Sequence, residues 1–310
     1  VKIWAGVTDI KWFEHLRHQS PPVAEVNFWI PGGTAPFNSL PEGSPFLFKL
    51  KAPINKIAGV GFFFGFRKLP LRLAWETFKL ENGRNTYEEL AAAIAKYRRQ
   101  TTIRGTEEIG CMVLEQPVFF PEEAWITAPE FSTNIVQGKS YDTHTSVGAL
   151  LWKQVYDSMG MAGARSMVLN PQAAFEPVFG KEYLRKSRPG QGAFRLLLTD
   201  VYGGRCAITG ESTRPVLEAA HIQPVTMSGK NEVTNGLLLR SDMHILFDDG
   251  LIGVTPDYEI RISDRIREQY VNGKVYYAWD GKKLSTLPSN PESFPSRERL
   301  EWHMSHIFES

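Results

Sequence analysis

Residues 206–210 read Cys-Ala-Ile-Thr-Gly, residues 217–222 read Leu-Glu-Ala-Ala-His-Ile, and residues 235–248 read Asn-Gly-Leu-Leu-Leu-Arg-Ser-Asp-Met-His-Ile-Leu-Phe-Asp. The run 217–222 alternates well enough for a strand that ends at His221, just before a loop marked by Pro224 and by Ser228-Gly229-Lys230-Asn231. Asn235-Gly236 predicts a turn, 237–239 a short strand, and Ser241 or Asp242 can cap a helix that carries His244. Asp248 follows His244 by four residues and so shares its helical face. The expected unit is strand, loop, strand, helix, with an imidazole at the end of the first strand and an imidazole–carboxylate pair on the helix.

Around this segment the chain reads as a globular protein of ordinary composition. Its 310 residues lead to an expectation of two domains. Hydrophobic residues make up 42% and charged residues 22%, which excludes a disordered chain. A net charge of only +1 excludes a general polycation, so binding to nucleic acid would need local basic faces. Cys111 and Cys206 lie far apart, with no disulfide framework, and suggest a reducing compartment. No apolar run is long enough to span a membrane and no secretory leader is read at the N-terminus, so a cytoplasmic location is expected.

The first half reads as β-rich. Apolar runs at 26–30, 46–50, 57–66, 109–114 and 115–120 are separated by turn signals such as Pro31-Gly32-Gly33 and Glu81-Asn82-Gly83. Thr86 can cap a helix through Tyr97, with Glu88 and Glu89 in its first turn and basic residues at its end. Strands enclosing a helix predict a small barrel-like α+β domain over 1–145. A helix is expected at 146–157. The Gly, Ala, Pro and Asn-rich stretch 159–179 is the linker candidate, so that 146–180 is assigned as helix and linker. The second domain, 181–310, opens with a basic segment and a helix at 194–202, and a terminal helix is expected around Leu300 to His306.

The 206–248 segment resembles the ββα-metal fold of HNH endonucleases, and the resemblance extends over about 191–254. It implies a metal-dependent endodeoxyribonuclease that hydrolyses phosphodiester bonds. In that resemblance His221 takes the general-base position, where a neutral imidazole accepts a proton from the attacking water. Asn235 takes the position of the residue that braces the loop and the base, with a plain Asn-Gly turn as the alternative. His244, with Asp248 beside it, would bind one divalent cation, magnesium or manganese, that polarises the phosphate. Many HNH nucleases carry a metal-binding Asp or His just before the base, where this chain has Ala220. Glu218 lies on the same side of the strand and either reaches the ion in its place or is a solvated strand residue. Structural zinc in such domains uses two CxxC pairs. The four slots here read Cys206, Thr209, Arg240 and Met243, so no structural zinc is expected.

Basic residues gather before the motif, and Arg188-Pro-Gly-Gln191-Gly-Ala-Phe194-Arg195 resembles the lead-in that accompanies this HNH type. Arg185, Lys186, Arg188 and Arg195 are read as phosphate contacts, with an ordinary solvated helix face as the alternative. The two histidines of the terminal helix, His303 and His306, are assigned to packing and solvation.

The first half loosely resembles the PUA superfamily, with its EVE and SRA-like relatives, through Asn27-Phe28-Trp29-Ile30-Pro31-Gly32-Gly33 and the runs around Phe46 and Ile57. Fused to an HNH domain, such a reader implies a restriction enzyme for double-stranded DNA that carries 5-methyl- or 5-hydroxymethylcytosine. Base flipping into an aromatic pocket would read the modification. The aromatics expected on loops are Trp29, Trp75, Trp125 and Tyr141, with Asp142 or Asn134 on the base edge. Because cutting both strands needs two sites or two nicks, a homodimer is one arrangement this function implies. Two other functions stay open: a modified-base or RNA reader whose nuclease site has decayed at Ala220, and an HNH nuclease with a different target, such as a mobile-element or toxin nuclease.

Overall fold

The computed structural model describes residues 1–33, 40–132, 134–169, 190–270 and 273–309. They fall into two compact units, Val1–Ser187 and Arg188–Ser310. Both are mixtures of strands and helices.

In the first unit the strands are β1 (Lys2–Thr8), β2 (Glu25–Ile30), β3 (Pro45–Leu50), β4 (Lys56–Pro70), β5 (Glu108–Phe119), β6 (Ile126–Thr127) and β7 (Gly138–Asp142). They form one sheet in the order β2-β5-β4-β3-β1-β7, with β6 added to β4. β1 and β3 run parallel, while the other neighbours are antiparallel. The sheet ends at β2 and β7, which do not pair, so the expected barrel-like domain is an open mixed sheet among the described residues. The expected pieces 109–114 and 115–120 are one strand. Gln116, at φ 45°, marks the joint between them, and two register shifts between β4 and β5 bend the pair there.

Burial explains why β4 begins as a continuous apolar run instead of an alternating one. Ile57, Ala58, Val60, Phe62 and Phe63 are all buried, which requires cover on both faces. Gly59 is the close-approach point: a Cβ there would lie 2.6 Å from the Val118 carbonyl oxygen.

Among the described residues, three α-helices lie before β5: α1 (Ile10–Arg17), α2 (Leu71–Phe78) and α3 (Tyr87–Arg98). Asp9 caps α1 by accepting from the Trp12 amide, and Thr86 caps α3 by accepting from the Glu89 amide, as its sequence predicts. A fourth helix, α4 (Ser146–Leu169), covers the expected helix and runs on past it. The stretch expected to be linker is helical as far as Leu169, and Leu151, Val155 and Met159 form one apolar stripe that packs the earlier part of this helix into the core of the first unit. The rest of that stretch, 170–180, lies outside the described residues.

The second unit is built on α5 (Gln191–Val201), the antiparallel pair β8 (Leu217–His221) and β9 (Gly236–Arg240), and α6 (Ser241–Asp248). A hairpin of β10 (Ile252–Val254) and β11 (Ile260–Ile262) follows, then α7 (Arg265–Tyr270), α8 (Lys274–Tyr277) and α9 (Arg297–His306). Leu237, Leu238 and Leu239 are all fully buried, as their unbroken run requires. At roughly 2 kcal/mol for each buried leucine, this short strand outweighs its small number of ladder bonds. The strand–loop–strand–helix order read from the sequence is the order observed.

Candidate active site

The two strands of the second unit pair in a register that sets His221 opposite Gly236 and Glu218 opposite Leu239. Gly236 is not the left-handed turn residue that Asn-Gly predicts. Its backbone is extended, at φ −138° and ψ 148°, and it opens β9. It is glycine because α5 packs directly on it: a Cβ would come within 2.7 Å of Phe194 and 2.6 Å of Leu198. The same Phe194 ring then stacks on His221, with centroids 4.3 Å apart and planes at 15°. The helix that leads into the motif therefore sets the plane of the imidazole.

His221 is half-buried, and its Nε2 lies 2.6 Å from Asn231 Oδ1. An amide oxygen only accepts, so Nε2 carries the hydrogen and Nδ1 keeps its lone pair. Burial holds the His221 pKa below the ordinary histidine value. It outweighs the Asn231 hydrogen bond and the Asp248 charge, which raise the pKa, and the nearby His244 lowers it further. A neutral imidazole at neutral pH is the form that can take a proton.

Asn235, expected to brace both loop and base, braces the loop. It is fully buried. Its Oδ1 accepts from the Gln223 amide, and its Nδ2 donates to the carbonyls of Gln223 and Lys230, each at 2.9 Å. The residue that hydrogen-bonds the His221 ring is Asn231, which the sequence marks only as part of a polar loop. Asn235 therefore holds the strand-to-strand loop in shape, and that loop presents Asn231 to His221.

His244 sits on α6 between two carboxylates. Its Nδ1 is 2.7 Å from Glu218 Oε2, and its Nε2 is 3.2 Å from Asp248 Oδ2. Burial alone would lower its pKa, but the hydrogen bonds and charges of Asp248 and Glu218 together hold it above the ordinary histidine value. Glu218 also accepts from Ser241 Oγ at 3.0 Å, which ties β8 to the first turn of α6. Glu218 thus meets the ring nitrogen opposite the one that faces Asp248. Ala220, the residue before His221, is fully buried in the core of the second unit.

No group of three or more His, Cys, Asp or Glu arranged to hold a metal ion is found among the described residues. A catalytic cation that keeps water and phosphate ligands needs only one or two protein donors. His244 Nε2 and Asp248 Oδ2, 3.2 Å apart, are close to the edge of about 3.0 Å that an octahedron with ligand bonds of ~2.1 Å requires. Once His244 Nε2 gives up its proton, these two atoms would be the donors such a cation needs.

Of the zinc slots, Cys206 is fully buried and its sulfur accepts from the Thr209 and Arg240 amides. Arg240 pairs with Asp242 at 2.6 Å, and Met243 is packed in the core. Arg195 is half-buried and donates to the Leu217 carbonyl at 2.8 Å, which anchors α5 to the start of β8. Arg185, Lys186 and Arg188 lie outside the described residues. His303 is buried and stacked on Phe247, and His306 faces the Trp302 carbonyl, so neither is placed for metal.

In the first unit the aromatics expected on loops mostly sit elsewhere. Trp29 is on β2 with its indole donating to the Asn82 carbonyl, and its ring lines a cavity. Trp75 is half-buried on α2. Trp125 donates to the Phe120 carbonyl and packs edge-on against Phe13. Tyr141 is buried on β7 with its hydroxyl on the Pro129 carbonyl, and Asp142 pairs with His144 at 2.7 Å. Packing needs, together with partners for each indole and hydroxyl, account for these positions.

A search of curated proteins finds no match. Among solved structures, a modification-dependent TagI restriction endonuclease is similar at 14% identity, covering 92% of this chain and 75% of its own, with a TM-score of 0.32. A mutant ZmASCH protein from Zymomonas mobilis is similar at 9% identity, covering 49% of this chain and 97% of its own, with a TM-score of 0.30. Residues 206–255 match the family model described as HNH endonuclease. The segment that holds His221, Asn235, His244 and Asp248 is thus an HNH endonuclease domain, and the protein is a nuclease.

Proposed function

We propose that the protein is a modification-dependent DNA endonuclease, with the second unit cutting and the first unit reading 5-methyl- or 5-hydroxymethylcytosine. The observation that carries the catalytic half is the His221 imidazole, fixed by Phe194 and Asn231 in the same domain as the His244–Asp248 pair. His221 Nδ1 takes the proton of the attacking water, while Nε2 stays bonded to Asn231. His244 and Asp248 would hold one magnesium or manganese ion, which when bound supplies Lewis-acid stabilisation of the phosphate. Glu218 acts on the far nitrogen of His244, fixing the ring so that Nε2 faces the ion, as carboxylates behind metal-bound histidines do. The PUA-like, EVE- or SRA-like character of the first unit is part of the same proposal. It is supported by the aromatic cavity beside Trp29.

Matched plasmids that differ only in cytosine modification, incubated with magnesium or manganese, test this reading. Preferential cutting of the modified plasmid is the expected result. Equal cutting of both would favour a nuclease with another target, and no cutting of either would remove the catalytic reading. For Glu218→Gln, manganese affinity measured by calorimetry should fall about 10–100-fold. Unchanged affinity would show that the carboxylate does not position His244.

A further inference from the structure

The loop that joins β8 to β9 begins directly after His221 and carries Asn231. Its tip is a short turn, Val225–Met227, entered from Pro224 and left through Ser228. Val225 is 47% exposed and Met227 is 51% exposed, although both are apolar. Scattered exposed apolar residues are common on protein surfaces and by themselves mean nothing. What distinguishes these two is how firmly the turn holds them and where it stands.

The Pro224 carbonyl accepts from the amides of Met227 and Gly229 at 2.9 and 3.0 Å, and the Met227 carbonyl accepts from Gln223 Nε2 at 2.9 Å. Gln223 is held in turn by the buried Asn235, which bonds both its amide and its carbonyl. The turn closes so tightly that a Cβ on Gly229 would fall 1.8 Å from the Gln223 carbonyl oxygen, so only glycine fits there. Ser228 is kept left-handed, at φ 69°, a conformation rare outside glycine. A loop fixed in this way loses little freedom when something covers its tip. Its single carboxylate, Glu232, lies 2.7 Å from Arg299 and 3.7 Å from Lys230, so the loop does not repel a polyanion. Val225 is four residues from His221 and Met227 four from Asn231, at most ~14 Å of extended chain. A duplex with its phosphate at His221 therefore passes within reach of the tip.

We infer that Met227, with Val225 in the same turn, is an apolar wedge that enters the minor groove and opens one base step beside the cut. The inference rests on reading the protein as a DNA endonuclease, and not on which base the first unit reads. An apolar side chain between base pairs replaces part of their stacking, and the opened step kinks the duplex. Pyrimidine–purine steps such as TA and CA/TG open most easily. The nuclease domain thus chooses where it cuts by deformability, without a hydrogen bond to any base. Because one short loop joins the wedge to His221, the opened step lies within a few base pairs of the scissile phosphate.

The first readout is bending, with the full chain carrying His221→Ala, in EDTA, on duplexes of about 30 base pairs labelled at both ends for energy transfer. Binding should bend the duplex by about 20–90°, and adding Met227→Ala with Val225→Ala should remove most of that bend. Met227→Gln keeps the length of the side chain without its apolar character, and repeats the test should the double variant melt below the parent. An unchanged bend, a bound duplex that stays straight, or no binding overturns the inference. Cleavage is the second readout. With His221 intact, Met227→Ala should slow cutting of a paired duplex about tenfold, yet by no more than about twofold when unpaired nucleotides already open the mapped cut site. Wild-type cuts should gather at TA and CA/TG steps. Equal slowing on both substrates would assign Met227 to shaping the loop around Asn231 and overturn the wedge. A failure of the endonuclease reading shows separately, as wild-type protein that bends DNA and cuts none.

Discussion

Replacing His221 by alanine should reduce DNA cleavage about 10²–10⁴-fold while leaving DNA affinity within a factor of about two, the range that removal of a general base gives. The ring is the only part of the residue that meets Phe194 and Asn231, so the variant removes the base without disturbing a backbone pairing. Single-turnover cleavage and binding in EDTA separate the two effects. Residual activity above roughly a tenth of wild type would remove His221 from the base role. The pH profile gives a second reading. Because burial lowers the His221 pKa below the ordinary value of 6.5, the acid limb of the cleavage profile should fall below pH 6.5. An acid limb above that value would point to a different group.

The second large effect concerns stability. His303 is 2% exposed, stacked on Phe247 with ring centroids 3.8 Å apart, and its Nδ1 has no hydrogen-bond partner among the described residues. Burial lowers its pKa to about 4, against the raising effects of the Phe247 carbonyl and the Asp248 charge. In the unfolded chain the same group titrates near ~6.5. Between these values the unfolded chain binds a proton that the folded chain refuses, so stability falls as pH drops from about 6.5 to about 4 and is complete above that window. The loss is about 3 kcal/mol by about pH 4. Hydrogen-exchange protection of the α9 amides, compared at about pH 7 and about pH 5, measures it. His303→Leu should remove this part of the pH dependence. The same slope in that variant would assign it to other groups.

The catalytic segment is legible in the sequence because its chemistry is local. His244 and Asp248 lie one helical turn apart, so their pairing follows from α-helical spacing alone. His221 ends an apolar strand, and the strand and helix around it follow from the hydrophobic pattern. Asn231 is not legible, because its contact with His221 spans a loop whose path is set by three hydrogen bonds from Asn235. The role of Glu218 is half legible. Its side of the strand follows from alternation, but which ring nitrogen it meets depends on how α6 packs over β8.

The first unit shows the opposite balance. Its strands can be read from apolar runs and turn residues, yet its reader residues cannot, because indoles and phenols fill cores and pockets with the same composition. Trp29 lines the cavity, while Trp125 and Tyr141 serve packing. Of the other residues that line this cavity, Asp9 follows β1, Lys51 follows β3 and Tyr97 lies near the end of α3, so these three meet from places far apart in the chain. Sequence by itself determined the strand–loop–strand–helix unit and its imidazole–carboxylate pair, since short-range spacing and burial pattern suffice for both. Only the tertiary structure decided which asparagine bonds the His221 ring, which nitrogen Glu218 meets and which aromatics surround a cavity, because each depends on contacts between segments whose separation the chain pattern does not encode.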